Sequence, residues 1–160
     1  MISVVTPTFG RPDEVADLLE NLSEQKLLPT EVIIVDGAPE AEKETEDLVR
    51  SCVKTFPFRV RYMRHERGTA IQRNAGIDIA DGSFIALIDD DVRLEPDFLR
   101  TMFDVFDGDK DHGIGGVVGY RTNQHFEPAS AQRWRWYRRL GLLTTFEPGR
   151  YDFQTGYPIN

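Results

Sequence analysis

The sequence predicts an α/β fold, with a mostly parallel, Rossmann-like sheet flanked by helices. Three observations predict it. Short β-branched runs alternate with segments of helical periodicity along residues 2–120. The strands are almost continuously apolar, as in a parallel sheet covered on both faces. They also end in polar or acidic groups, Thr6-Pro7-Thr8, Asp36 and Asp89-Asp90-Asp91. Open parallel sheets bind ligands just beyond such carboxyl ends.

Each element has its own warrant. Ile2 to Thr6 reads as a buried strand stopped by Pro7. Pro12 to Gln25 carries Val15, Leu18, Leu19 and Leu22 at helical spacing, with Pro12 suited to the first turn. Glu31 to Asp36 is a second β-branched strand. Glu40 to Phe56 is charged and helical in pattern, with Leu48, Val49 and Val53 on one side. Arg59 to Met63 is a third, more polar strand. Thr69 to Ala80 reads as helix, punctuated by Asp81-Gly82. Ser83 to Ile88 is the most apolar strand. Pro96 to Phe106 is a helix whose face is Phe98, Leu99, Met102, Phe103 and Phe106. Ile114 to Tyr120 is a last, Gly-rich strand.

Composition narrows the function. The chain has 160 residues and a formal charge of −8, which suits one soluble domain and disfavours non-specific nucleic-acid binding. No apolar run reaches the ~20 residues that span a bilayer, and Met1 opens no secretory leader. Cys52 is the only cysteine. It excludes an internal disulfide and a cysteine-cluster metal site, and it makes the cytoplasm the expected compartment. Charge is unevenly spread: residues 1–120 carry −11 and residues 121–160 carry +3.

The chemistry-bearing residues lie at the strand ends. If strand geometry persists past Ile88, Asp89 and Asp91 point to one side, about 6.6 Å apart. Two such charges repel by roughly 2–3 kcal/mol at an effective dielectric of about 20. A divalent cation would remove that cost, take the carboxylates as hard ligands and carry a diphosphate. The same aspartates could instead cap the next helix or face solvent, although Asp97, beside Pro96, is better placed for the helix start. Asp36 could accept hydrogen bonds from a nucleobase or ribose, or serve as a turn aspartate before Gly37. Arg64, Arg67 and Arg73 share one stretch, where a guanidinium could grip phosphate oxygens or lie on a solvated face. His65, His112 and His125 show no metal-ligand spacing, and the glycines at 113–119 form no dinucleotide fingerprint.

The string VVTPTFGRPDEVADLLENL, followed by EVIIVDG and RGTAIQRNAGIDIADGSFIALIDDDVRLEPDFL, resembles family 2 glycosyltransferases of the GT-A fold in order and spacing over residues 2–120. The resemblance implies transfer of a sugar from a nucleotide diphospho-sugar to a glycan or lipid-linked acceptor, usually with inversion. Pro7, Thr8 and Phe9 would hold the nucleobase and Asp36 would contact base or ribose. Arg73 would lie near the diphosphate and Asp89 on the ribose side. Asp91 would ligate Mg²⁺ or Mn²⁺, with Asp89 beside it and Asp90 as an alternative ligand. The chain departs from the family at Gly10, often Asn, and at Gly37, often a second acidic residue. Members normally continue past Gly156-Tyr157-Pro158-Ile159-Asn160 into an acceptor region that supplies the general base. Neither Glu147 nor Asp152 sits in the motif of that base, so the chain is expected to be a nucleotide-binding core, 1–120, with the start of an acceptor region, 121–160.

Two other readings compete. FIALIDDDV also resembles the strand end of haloacid-dehalogenase-type phosphatases, with Asp89 as nucleophile, although Val92-Arg93 departs from that motif. A nucleotide-sugar-binding module without catalysis is the other. In residues 131–143, Arg133, Arg135, Arg138 and Arg139 interleave with Trp134, Trp136, Tyr137 and Leu140. Such a run suits peripheral contact with the inner face of a membrane, or a helix packed on the sheet with its arginines outward.

Overall fold

A computed structural model of the chain describes residues 1–111 and 113–119, within the compact unit Met1–Gly119. Four strands and four helices alternate: β1 (Ile2–Thr8), α1 (Pro12–Ser23), β2 (Glu31–Asp36), α2 (Glu44–Cys52), β3 (Arg59–Arg64), α3 (Thr69–Asp78), β4 (Phe84–Leu87) and α4 (Phe98–Asp107). The sheet is wholly parallel, in the order β3-β2-β1-β4. From β1 the chain steps outward through β2 to β3, then returns past β1 to β4. Right-handed crossovers require the connecting helix to change face when the direction reverses. The packing agrees. Val15, Leu18, Leu19 and Leu22 of α1 and Val49 of α2 meet Val4, Val32, Ile34 and Val60 on one face. On the other face Ala75 of α3 packs against Val5, Ile33 and Val35.

β1 runs two residues further than the sequence predicts, because Pro7 lies inside it, opposite Val35. The reason is tertiary. The Val5 carbonyl accepts from Ile88 N at 3.1 Å, so Val5, and by alternation Pro7, turn their backbone groups toward β4. Ladder pairing with β4 ends at Val5 opposite Leu87. The N–H that proline lacks therefore has no partner to lose.

Other boundaries move as well. The helix predicted from Glu40 begins at Glu44, because the Arg64 guanidinium donates to the carbonyls of Ala38, Pro39 and Glu42 and holds them as a turn. It ends at Cys52, ahead of Pro57, and Val53 is exposed. α4 starts at Phe98, with Asp97 in the N-cap position. The Asp97 carboxylate serves Lys26 Nζ at 2.7 Å instead of the helix. Among the described residues β4 is covered on one face only: α3 packs on β1 and β2, and Ile85 and Leu87 stay exposed. No strand forms over 114–119 among the described residues. That segment runs beside Phe98 and Met102 without a ladder partner. Tyr120 and the run 131–143 lie outside the described residues.

Candidate functional site

The turn-back of the sheet lies between β1 and β4, and a crevice opens beyond the carboxyl ends of these two strands. A cavity of about 370 Å³ occupies it, lined by Pro7, Thr8, Phe9 and Arg11 after β1 and by Asp89, Asp90 and Asp91 after β4. Arg67, Gly68, Thr69 and Gln72 close the third side, at the start of α3.

The acidic run is not an extended strand end. Pairing stops at Leu87, and Val92 N returns to the Asp89 carbonyl at 3.3 Å, so residues 89–92 form a turn. The three carboxylates therefore differ. Asp90 is buried: Thr8 Oγ1 donates to its Oδ2 at 2.7 Å and Arg11 Nη1 to its Oδ1 at 2.8 Å. Asp89 is half-exposed and uses Oδ1 to accept from Arg73 Nη2 at 2.6 Å. Asp91 is 62% exposed and has one long contact, 3.8 Å to Arg11. Two arginines thus offset much of the repulsion expected among the acids.

The strand-end carboxylate of β2 has a different place. Asp36 is fully buried, does not line the cavity and has both oxygens engaged. Oδ1 accepts from Gly10 N at 3.1 Å and Ala38 N at 2.9 Å, and Oδ2 accepts from Tyr62 Oη at 3.0 Å. Burial and the Asp36 hydrogen bond push the Tyr62 hydroxyl well above its ordinary range, so it stays a donor. Gly10 takes φ 59°, a left-handed turn suited to glycine, and this brings its N–H to Asp36. A base or ribose contact by Asp36 would first require this loop or Tyr62 to move.

Several participants carry no motif. Gln72 Nε2 donates to the Thr8 and Val35 carbonyls, both at 2.7 Å, and its Oε1 accepts from Gly68 N at 3.1 Å. Its buried amide ties the ends of β1 and β2 to the start of α3. Arg11 bridges the two loops of the crevice. Arg67 lies over the Phe9 ring, 4.5 Å from guanidinium carbon to centroid. Of the three arginines singled out in the sequence, Arg64 is engaged in the turn before α2, Arg73 with Asp89, and only Arg67 lines the cavity. Pro7, Thr8, Phe9, Asp89, Asp90 and Asp91 are brought together as the sequence places them; Asp36 and Arg73 stand behind the wall.

For a divalent cation the donor set is suitable. Asp91 has an accessible carboxylate, and the Asp89 bond to Arg73 leaves Oδ2 available; both are hard oxygen donors. Asp90, with both oxygens engaged and buried, is the poorest ligand of the three. Among the described residues no group of three His, Cys, Asp or Glu side chains is gathered around one point. An ion here would complete its shell with a bound ligand or water.

The chain matches the model of "Glycosyl transferase family 2" over residues 3–157. It is 30% identical over 158 residues to the uncharacterised glycosyltransferase YwdF of Bacillus subtilis, covering 98% of this chain and 55% of that protein. It is 31% identical over 122 residues to the glucosyl-dolichyl phosphate glucuronosyltransferase of Haloferax volcanii, covering 73% of this chain and 38% of that one. The chain thus spans about half or less of the length of these relatives. The crystal structure of S. aureus TarS in complex with UDP-GlcNAc superposes with a TM-score of 0.57 and 22% identity, over 77% of this chain and 37% of that one. It shares the GT-A fold.

Proposed function

The chain belongs to glycosyl transferase family 2, and from that premise we propose that its crevice binds the nucleotide diphospho-sugar from which a sugar passes to a glycan or lipid-linked acceptor. One observation carries the reading: the β1 loop and the acidic turn after β4 meet around one open cavity where the sheet reverses. S. aureus TarS has been crystallised in complex with UDP-GlcNAc and with UDP, which supports a nucleotide donor here.

In transfer, the acceptor oxygen bonds to the anomeric carbon and the bond from that carbon to the diphosphate breaks. With inversion the oxygen attacks from the face opposite the leaving group. The acceptor proton goes to a general base, which none of the described residues is assigned to be. Pro7, Thr8 and Phe9 form the wall for the nucleobase, with Asp36 and Gln72 fixing that wall from behind. Arg11 holds Asp90, and Asp90 holds Thr8, so the turn after β4 stays aligned with the β1 loop. Asp91 and Asp89 would hold Mg²⁺ or Mn²⁺, which as a Lewis acid stabilises charge on the departing diphosphate. With the family assigned, the phosphatase alternative is dropped, and its would-be nucleophile Asp89 is paired with Arg73.

Calorimetry with UDP, GDP and dTDP, with and without Mn²⁺, tests the reading. At least one should bind, at least tenfold more tightly with metal, and Asp91→Ala should abolish the metal effect. Equal affinity with and without Mn²⁺ would refute the metal role, and binding of none of the three would refute the donor site. Binding without transfer or hydrolysis of the matching sugar would leave a binding module.

Among the described residues no helix is long and apolar enough to cross a membrane. We place the activity at the cytoplasmic face, with residues 131–143 as a peripheral contact. Pelleting with anionic vesicles at low salt should bring the chain down, and its absence from the pellet would end the membrane proposal.

A further inference from the structure

Three arginines stand around the crevice, and two are already matched. Arg11 pairs with Asp90 at 2.8 Å and Arg73 with Asp89 at 2.6 Å. Arg67 is different. It is exposed, lines the cavity and has neither hydrogen bond nor ion pair among the described residues. Its one specific contact is the face of Phe9. Cation–π stacking orients the plane of a guanidinium and leaves its five N–H donors free at the edge.

The position of Arg67 follows from Gly37. A Cβ on Gly37 would lie 3.1 Å from the Arg67 Cα and 3.2 Å from Gln72 Oε1. The bare backbone at the end of β2 lets the chain before α3 come close. The place where a side chain at position 37 would project is thus taken by the Arg67 backbone and the Gln72 amide.

Resting on the donor-binding reading above, we propose that Arg67 is the residue that receives the anionic diphosphate of the donor, in place of Arg73. The chemistry is direct. A nucleoside diphosphate brings negative charge into a cavity whose wall already holds three aspartates, so beside the divalent ion it calls for a side-chain cation not yet engaged. Arg73 would have to abandon Asp89 first, whereas Arg67 has only to tilt on Phe9. A guanidinium also offers phosphate two parallel N–H donors, a geometry that lysine lacks.

The test uses the full chain and compares UDP, GDP and dTDP with the matching nucleosides, each in the presence of Mn²⁺. Arg67→Ala should weaken the diphosphate that the unaltered chain binds by about tenfold or more and change nucleoside binding less than about twofold. Arg67→Lys should restore part of the loss and Arg67→Gln none. Because Arg67 is exposed, thermal unfolding without ligand should be the same in all variants. Equal weakening of nucleoside and diphosphate would overturn the proposal and make Arg67 part of the base wall. Unchanged diphosphate binding in Arg67→Ala would overturn it outright while leaving the donor-binding reading intact. Only failure of the unaltered chain to bind any of the three would remove both.

Discussion

The two ends of the sheet use the same groups for opposite purposes. At the amino end, Glu31 is fully buried and completely satisfied. Ser3 Oγ and Asp81 N donate to its Oε1, both at 2.7 Å, while Arg59 and Arg61 donate to Oε2 at 2.7 and 3.2 Å. Burial opposes its charge, but these donors outweigh burial and hold its carboxyl down at about 2. At the carboxyl end the acids are graded instead, from buried Asp90 to exposed Asp91. One end is closed by its pairing, and the other keeps carboxylate oxygens available. Arginine beside aspartate or glutamate is therefore not a functional sign by itself; unused binding capacity beside a cavity is.

The largest break in this comparison should come from Glu31→Ala. It removes the acceptor of Ser3 Oγ and of Asp81 N and leaves Arg59 and Arg61 only Asp81 and the Ile79 carbonyl, and should cost about 3 kcal/mol or more in urea unfolding. Nucleotide affinity per folded molecule should not change. Next comes acid. The folded carboxyl titrates near 2, against 4.5 for an ordinary one, so the unfolded chain takes up the proton first. The stability from Glu31 is complete above about pH 4.5 and is lost as pH falls toward 2. Its size is on the order of 2–3 kcal/mol, since Arg59 is half-exposed and solvent screens it. Urea midpoints at about pH 5 and about pH 3 should differ clearly in the unaltered chain and less in Glu31→Ala.

At the other end the effects on folding shrink. Arg11→Ala removes one partner of buried Asp90 but leaves the Thr8 bond, so about 1–2 kcal/mol should be lost. Donor affinity should fall with it as the acidic turn loosens. Asp91→Ala should alter stability by no more than about 0.5 kcal/mol while removing metal-enhanced binding. A large stability loss in Asp91→Ala would erase the distinction between the two ends.

Much of this was legible before any coordinates. The strands Ile2–Thr6, Glu31–Asp36 and Ser83–Ile88 announce themselves by apolar, largely β-branched runs, and the polar and acidic ends of the first and last locate the crevice. What stayed hidden depends on neighbours. Pro7 is tolerated only because β4 has ended beside it. The run 114–119 has strand-like residues but no ladder partner among the described residues. Gln72 and Arg11 carry no signature, because a clamp is defined by the carbonyls and carboxylates it reaches across the fold. Asp36 matched a pattern at the strand end, yet its neighbours Gly10, Ala38 and Tyr62 engage both of its oxygens.

Pro7 has one more consequence. In a parallel pair the rung after Val5 and Leu87 would carry an N–H of residue 7 to the Ile88 carbonyl, a main-chain donor that proline does not possess. Extending the ladder would therefore gain one bond fewer than at any other residue. The mouth of the crevice thus has less to gain by closing, a bias that needs no bulky side chain and no bound molecule.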